Sequence, residues 1–180
     1  MENCIRVYDD VISKQWCEDI IKLYEKSRAK NYSNGHKEFS MLEILDLPEW
    51  QNTRTKFVNV MLTYMDKFMK DVKIETKHFT KDIDIEGITI KKYTDNGKDE
   101  FGEHVDVIEP VYSVKRFLVY ILYLSDCEGG ETYIPRYDIS SQPRQGRLLM
   151  FPPYWTHPHL VEAPLNNTFR YTINTWILEE

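Results

Sequence analysis

From residue 83 onward the chain is a succession of short runs, each too short and too rich in β-branched and aromatic residues to be a helix. They read "IDIEGITIKKY", "GEHVDVI", "KRFLVYILYLS", "GETYIPR", "GRLLMFP" and "FRYTINTWIL". Most are divided by turn chemistry: "DNGKD", "DCEGG", "QPRQG" and "APLNN". Runs of this kind bounded by Gly, Pro, Asn and Asp are strands. Strands packed this densely, with no room for intervening helices, predict a sandwich or barrel rather than a βαβ array.

The first half has a different period. "SKQWCEDIIKLYEKSRAK" spaces Trp16, Ile20, Leu23 and Tyr24 as one helix face, with Ser13 placed to cap it. A second helix is predicted from Pro48 to about Lys70, where Trp50, Phe57, Val58, Met61, Leu62, Met65 and Phe68 form a broad apolar face. "RVYDDVI" reads as a short strand and "NYSNGHKEFS" as a polar, turn-rich loop. The chain is read as one α+β domain over 1–180: 1–80 mainly helical support, 83–180 the β core, with the helices backing one face of the sheet.

Composition narrows the function. Lys plus Arg is 23 against 29 for Asp plus Glu, a net charge of -6, which is no footprint for a phosphate backbone. Nucleic acid is not an expected partner. Cys4, Cys17 and Cys127 are an odd, scattered set without C-x-x-C, which argues for a reducing compartment. The N-terminus lacks the apolar region of a signal peptide, and no apolar run reaches the length of a membrane span. A cytoplasmic location and no membrane partner are expected. Oligomeric state is not legible.

"FGEHVDV" sets His104 and Asp106 two positions apart in strand-like sequence, so both would leave the same face. Alone, the pair reads equally as a solvated imidazole and carboxylate beside a turn. "FPPYWTHPHLVEAP" adds His157 and His159, and Arg170 follows eleven residues after the second. Two imidazoles and a carboxylate on one face of an ion leave open positions, the donor set of non-haem Fe(II). Such an ion can chelate a keto acid such as 2-oxoglutarate, whose distal carboxylate then needs a fixed cation. Arg offers a two-pronged, always-charged fork.

The stretches "KKYTDNGKDEFGEHVD", "YILYLSDCEGGETYIP", "QGRLLMFPPYWTHPHLVEAP" and "RYTINTW", in this order over about residues 88 to 178, resemble the 2-oxoglutarate and Fe(II)-dependent oxygenases, in their prolyl 4-hydroxylase-like branch. The resemblance implies a double-stranded β-helix (jelly-roll, cupin-like) core with supporting N-terminal helices. It implies Fe(II), 2-oxoglutarate as co-substrate and O₂, with ascorbate supporting turnover. Carried over by position, His104, Asp106 and a distal histidine are the metal ligands. The spacing to the basic residue favours His159, with His157 as the alternative.

Arg170 is the implied anchor of 2-oxoglutarate, and Tyr93 and Tyr123 are implied beside it. Gly129, Gly130, Glu131 and Thr132 match a "GGET" turn that marks the fold, with no chemistry assigned. Two departures stand out. Collagen-type prolyl hydroxylases often carry Lys where this chain has Arg170. Nucleic-acid demethylases of the wider superfamily carry a second arginine where this chain has Trp176. The implied reaction converts 2-oxoglutarate to succinate and CO₂ and hydroxylates a C–H bond, most simply of a prolyl residue in a peptide or protein. Substrate recognition is expected from the 31–40 loop, the 94–103 loop and the 136–145 segment. The alternatives are a hydroxylase of a free amino acid or other metabolite, and a jelly-roll binding protein without catalysis.

Overall fold

The computed structural model describes residues 4–33, 38–75, 77, 83–107 and 115–179. In chain order its elements are β1 (Arg6–Tyr8), α1 (Lys14–Glu25), β2 (Lys30–Ser33), β3 (Glu38–Glu43), α2 (Gln51–Asp71), β4 (Ile83–Ile85), β5 (Thr89–Thr94), β6 (Phe101–His104), β7 (Arg116–Tyr123), β8 (Glu128–Gly129), β9 (Thr132–Ile134), β10 (Ile139–Ser141), β11 (Leu148–Phe151), β12 (His159–Val161), β13 (Pro164–Leu165) and β14 (Phe169–Glu179). An eight-stranded sheet runs β1-β11-β7-β14-β5-β3-β2, with β4 also on β14; a four-stranded sheet runs β10-β9-β12-β6. A third ladder pairs β8 with β13. The inner faces of the two larger sheets meet in the double-stranded β-helix arrangement.

Strand β7 shows why the core forms as it does. Its side chains alternate between faces, and both faces are apolar because both are covered. Leu118, Tyr120 and Leu122 join the helices in one buried cluster. Val119, Ile121 and Tyr123 point the other way, into a cluster with Ile134, Leu149 and Phe151 between the sheets. The helices therefore back the outer face of the large sheet, and the inner face is left for the site.

Helix α1 starts where its cap predicts: the Trp16 backbone N–H donates to Ser13 Oγ at 3.2 Å. Cys17, Ile20 and Tyr24 are its buried stripe. A 3₁₀ turn, Pro48–Trp50, leads into α2, whose Phe57, Met61 and Phe68 are buried. Leu62, predicted on that face, is exposed at 43%. The apolar stripe is narrower than the sequence reading had it. The Tyr120 hydroxyl donates to the Met61 carbonyl at 3.0 Å, tying α2 to the sheet.

Two local expectations change. The polar stretch read as a loop holds most of β2 and the start of β3, strands paired antiparallel from Lys30 with Met41 to Ser33 with Glu38. All of β2 is exposed, so the inward apolar signal of a strand is missing there. The strand carrying His104 ends at that residue, before Asp106. No helix among the described residues is long and apolar enough to cross a membrane.

Candidate active site

Antiparallel pairing of β6 with β12 sets His104 opposite His159. Their ring centroids are 4.2 Å apart. Asp106 follows in a bend, held where its backbone N–H donates to the Pro153 carbonyl at 3.2 Å. The imidazole nitrogens and carboxylate oxygen of these three residues lie within 4.8 Å of one another. His104 Nε2 is 3.4 Å from Asp106 Oδ1, and His159 Nε2 is 3.9 Å from Asp106 Oδ2.

Each ring is oriented by its other nitrogen. His104 Nδ1 lies 2.9 Å from the Gly102 carbonyl and His159 Nδ1 lies 3.2 Å from the His157 carbonyl. A carbonyl can only accept, so Nδ1 carries the proton in both rings. A neutral ring with its proton at Nδ1 turns an Nε2 lone pair toward the carboxylate, the tautomer a metal requires. Electrostatics agree. Burial opposes ionisation of Asp106, but His159, His104 and the Trp176 N–H outweigh it and hold the carboxyl well below the usual range. Burial pushes the His159 imidazole down to about 4, against the pull of Asp106. At neutral pH the His159 imidazole is neutral beside the anionic Asp106, a pair ready to bind a divalent cation. The N, N, O donor set with an open side fits Fe(II) better than structural zinc, which prefers a closed tetrahedral set.

These residues line a cavity of about 510 Å³ between the sheets. Along β14 the alternation that brings Arg170 to its inner end also brings Asn174 and Trp176 to its lining. Arg170 is 1% exposed, and its Nε and Nη1 have no hydrogen-bond partner among the described residues. Nη2 donates to Thr132 Oγ1 at 3.1 Å. A buried guanidinium with unpartnered N–H groups facing a cavity is a cradle for a carboxylate, because leaving it unmatched is costly. This is the fit a 2-oxoglutarate tail needs. Tyr93 lies beneath the guanidinium, 4.8 Å from its ring centroid, and burial raises its phenol to about 12. It stays protonated there.

The structure separates the remaining candidates. His157 is not in the His/Asp/His group: its ring packs on Tyr137 at 5.0 Å and Phe151 at 6.2 Å. Its Nδ1 lies 2.8 Å from Thr156 Oγ1. Tyr123 does not line the cavity; its hydroxyl lies 2.8 Å from Thr132 Oγ1 and 3.2 Å from the Ser141 carbonyl. It reaches Arg170 through Thr132 and by its ring face, 5.3 Å away.

The "GGET" turn therefore does more than shape the fold. Thr132 holds the arginine. A Cβ on Gly130 would stand 3.2 Å from Arg170 Cδ, at a φ of +66° that favours glycine. Of the three expected rim pieces, Tyr32 and Phe39 from the first and Phe101 from the second line the cavity; none of 136–145 does. Trp176 and Arg116 were not foreseen as site residues. Trp176 had a readable signal, since it lies on the same strand parity as Arg170.

A jelly-roll with an open-sided His/Asp/His group and a buried arginine across the cavity is the architecture of a non-haem iron oxygenase. The model of the 2OG-Fe(II) oxygenase superfamily matches residues 88–178. The chain belongs to this superfamily and is a 2-oxoglutarate-dependent non-haem iron dioxygenase, using Fe(II), 2-oxoglutarate and O₂.

Solved structures similar in fold include the viral collagen prolyl hydroxylase of Paramecium Bursaria Chlorella virus-1 in its 2OG complex. It is 16% identical, with 99% of this chain and 97% of that one covered, at a TM-score of 0.72. A Trichoplax adhaerens prolyl hydroxylase in complex with a hypoxia inducible factor peptide fragment is 16% identical, covering 98% and 84%, at 0.74. The α-ketoglutarate-dependent epimerase SnoN from nogalamycin biosynthesis is 10% identical, covering 98% and 78%, at 0.73. No curated protein sequence matches significantly.

Proposed function

We propose that this dioxygenase hydroxylates a prolyl residue in a peptide or protein, with His104, Asp106 and His159 holding the iron and Arg170 the distal carboxylate of 2-oxoglutarate. The observation that carries the substrate reading is the aromatic wall between the cavity mouth and the His/Asp/His group. Tyr32 stacks on Phe39 at 5.5 Å, Phe39 lies 6.1 Å from Phe101, and Phe101 stacks on His104 at 3.5 Å. A prolyl ring is apolar and flat enough to lie along such a wall. Tyr32 is 41% exposed on edge strand β2, open to a longer chain. The prolyl hydroxylases of like fold support the same reading.

Bound iron with 2-oxoglutarate and O₂ supplies the oxidation, yielding succinate, CO₂ and a hydroxylated substrate carbon. The chain supplies position and dryness. Arg170 fixes one end of the co-substrate through its unpartnered N–H groups. Tyr93 seals the space beneath the guanidinium, and Val119, Ile121 and Val161 keep the cavity wall apolar. Neutral His159 and anionic Asp106 keep their lone pairs for the ion.

Hydroxylation of a free amino acid is the second reading, favoured by a cavity of about 510 Å³ whose lining includes the polar side chains of Thr89 and Asn174, room and polarity enough for so small a substrate. Mass spectrometry of a panel of proline-containing peptides and free amino acids, incubated with the Fe(II)-loaded enzyme and 2-oxoglutarate, separates the readings. The expected product is a peptide heavier by one oxygen at proline. Hydroxylation of free amino acids alone contradicts the peptide reading.

A further inference from the structure

Asp106 has two carboxylate oxygens, and the structure commits one of them elsewhere. The Trp176 indole Nε1–H donates to Asp106 Oδ2 at 2.9 Å. Oδ1 lies 3.4 Å from His104 Nε2 and no hydrogen bond to it is made by the indole. The indole is itself clamped. The Arg116 guanidinium lies 4.0 Å from the Trp176 ring centroid, while its Nη1 donates to the Asp106 backbone carbonyl at 2.8 Å. Glu86 grips that guanidinium with both oxygens, at 2.6 and 2.5 Å. Its backbone N–H also donates to the Trp176 carbonyl at 3.0 Å. Glu86, Arg116, Trp176 and Asp106 thus form a closed ring of contacts drawn from separate segments of the chain.

We infer that Trp176 is a positioning residue that keeps Asp106 to one-oxygen coordination of the metal, leaving the second oxygen on the indole. A carboxylate can bind an ion through one or both oxygens. An ion held by both would lose one of the open positions on which co-substrate and O₂ depend. The N–H bond to an ionised oxygen is charge-assisted and directional. Arg116 and Glu86 fix the indole plane, so the bond does not depend on a freely turning ring. Outer partners of this kind orient ligands and tune the metal. The inference rests on the metal-centre reading above, applied to these residues.

Trp176→Phe tests it, because phenylalanine keeps a ring against Arg116 and removes the N–H. Mn(II) serves as the probe, with pulsed EPR in isotopically labelled water counting the waters on the bound ion. The wild-type protein is expected to hold one water more than Trp176→Phe. Equal counts in the two proteins would overturn the inference and leave the metal centre standing. Failure of the wild-type protein to bind Mn(II) would instead strike the metal-centre reading.

Should Trp176→Phe not fold, the wild-type chain labelled with ¹⁵N-tryptophan gives a second test. The Trp176 indole N–H, assigned by its proximity to Asp106 and Arg116, is expected to stay protected from exchange when Zn(II) binds. Faster exchange on metal binding would show the indole released, and would overturn the inference.

Discussion

His157 and His159 are both buried, at 4% each, and differ by two positions, yet only one faces Asp106. The difference is local. His159 opens β12 opposite His104, whereas His157 ends the turn in which its N–H bonds the Tyr154 carbonyl. His159→Ala is expected to weaken Mn(II) binding by more than about 100-fold, beyond what losing an outer partner of a ligand costs. His157→Ala should leave it within a few-fold. Metal titration of both variants checks this, and the reverse order would move the ligand by two residues. The His-x-Asp pair was legible because its members are near in sequence. Trp176 could have been read from its strand parity with Arg170, but its contacts with Glu86 and Arg116 could not, because no spacing within one segment announces a contact made by three.

Between residue and fold, the β8–β13 ladder decides how the arginine sits. Gly129 pairs with Pro164, and Gly130 packs against the Arg170 stem. Gly130→Ala adds a methyl where Arg170 Cδ and Cys127 Sγ are each 3.2 Å away, at positive φ. The left-handed conformation costs a non-glycine residue about 1–2 kcal/mol. The expected outcome is that much lost stability in urea denaturation, with the KM for 2-oxoglutarate raised about tenfold as the guanidinium shifts, equivalent to about 1.4 kcal/mol. An unchanged KM would separate the turn from the anchor. Helices and inner strands were legible from their periods. The β2–β3 pair was not, since an exposed edge strand carries no inward apolar alternation, although the "NG" dipeptide between them is a hairpin signal.

At the scale of the molecule, one sheet carries two faces: helices seal the outer one and the inner one encloses chemistry. Burial of unlike groups on that inner face makes stability depend on pH. Burial lowers His157 and His159 to about 4 from 6.5, so between those values the unfolded chain takes up protons that the folded chain refuses. Stability of the metal-free protein therefore falls as pH drops from 6.5 toward 4, by about 1.4 kcal/mol per pH unit for each group at most. His157→Phe, which keeps a ring against Tyr137 and Phe151, should flatten the slope by about half, as read from urea midpoints across that range. An unchanged slope would mean that His157 does not titrate on unfolding. The central claim, an oxygenase centre built on one carboxylate and two imidazoles, is tested most directly by Fe(II)-dependent conversion of 2-oxoglutarate to succinate in wild-type and Asp106→Ala proteins. The wild-type chain is expected to turn over only with Fe(II), and Asp106→Ala to fold with its circular dichroism intact and form no succinate above background. Succinate formed at the wild-type rate by folded Asp106→Ala would contradict it.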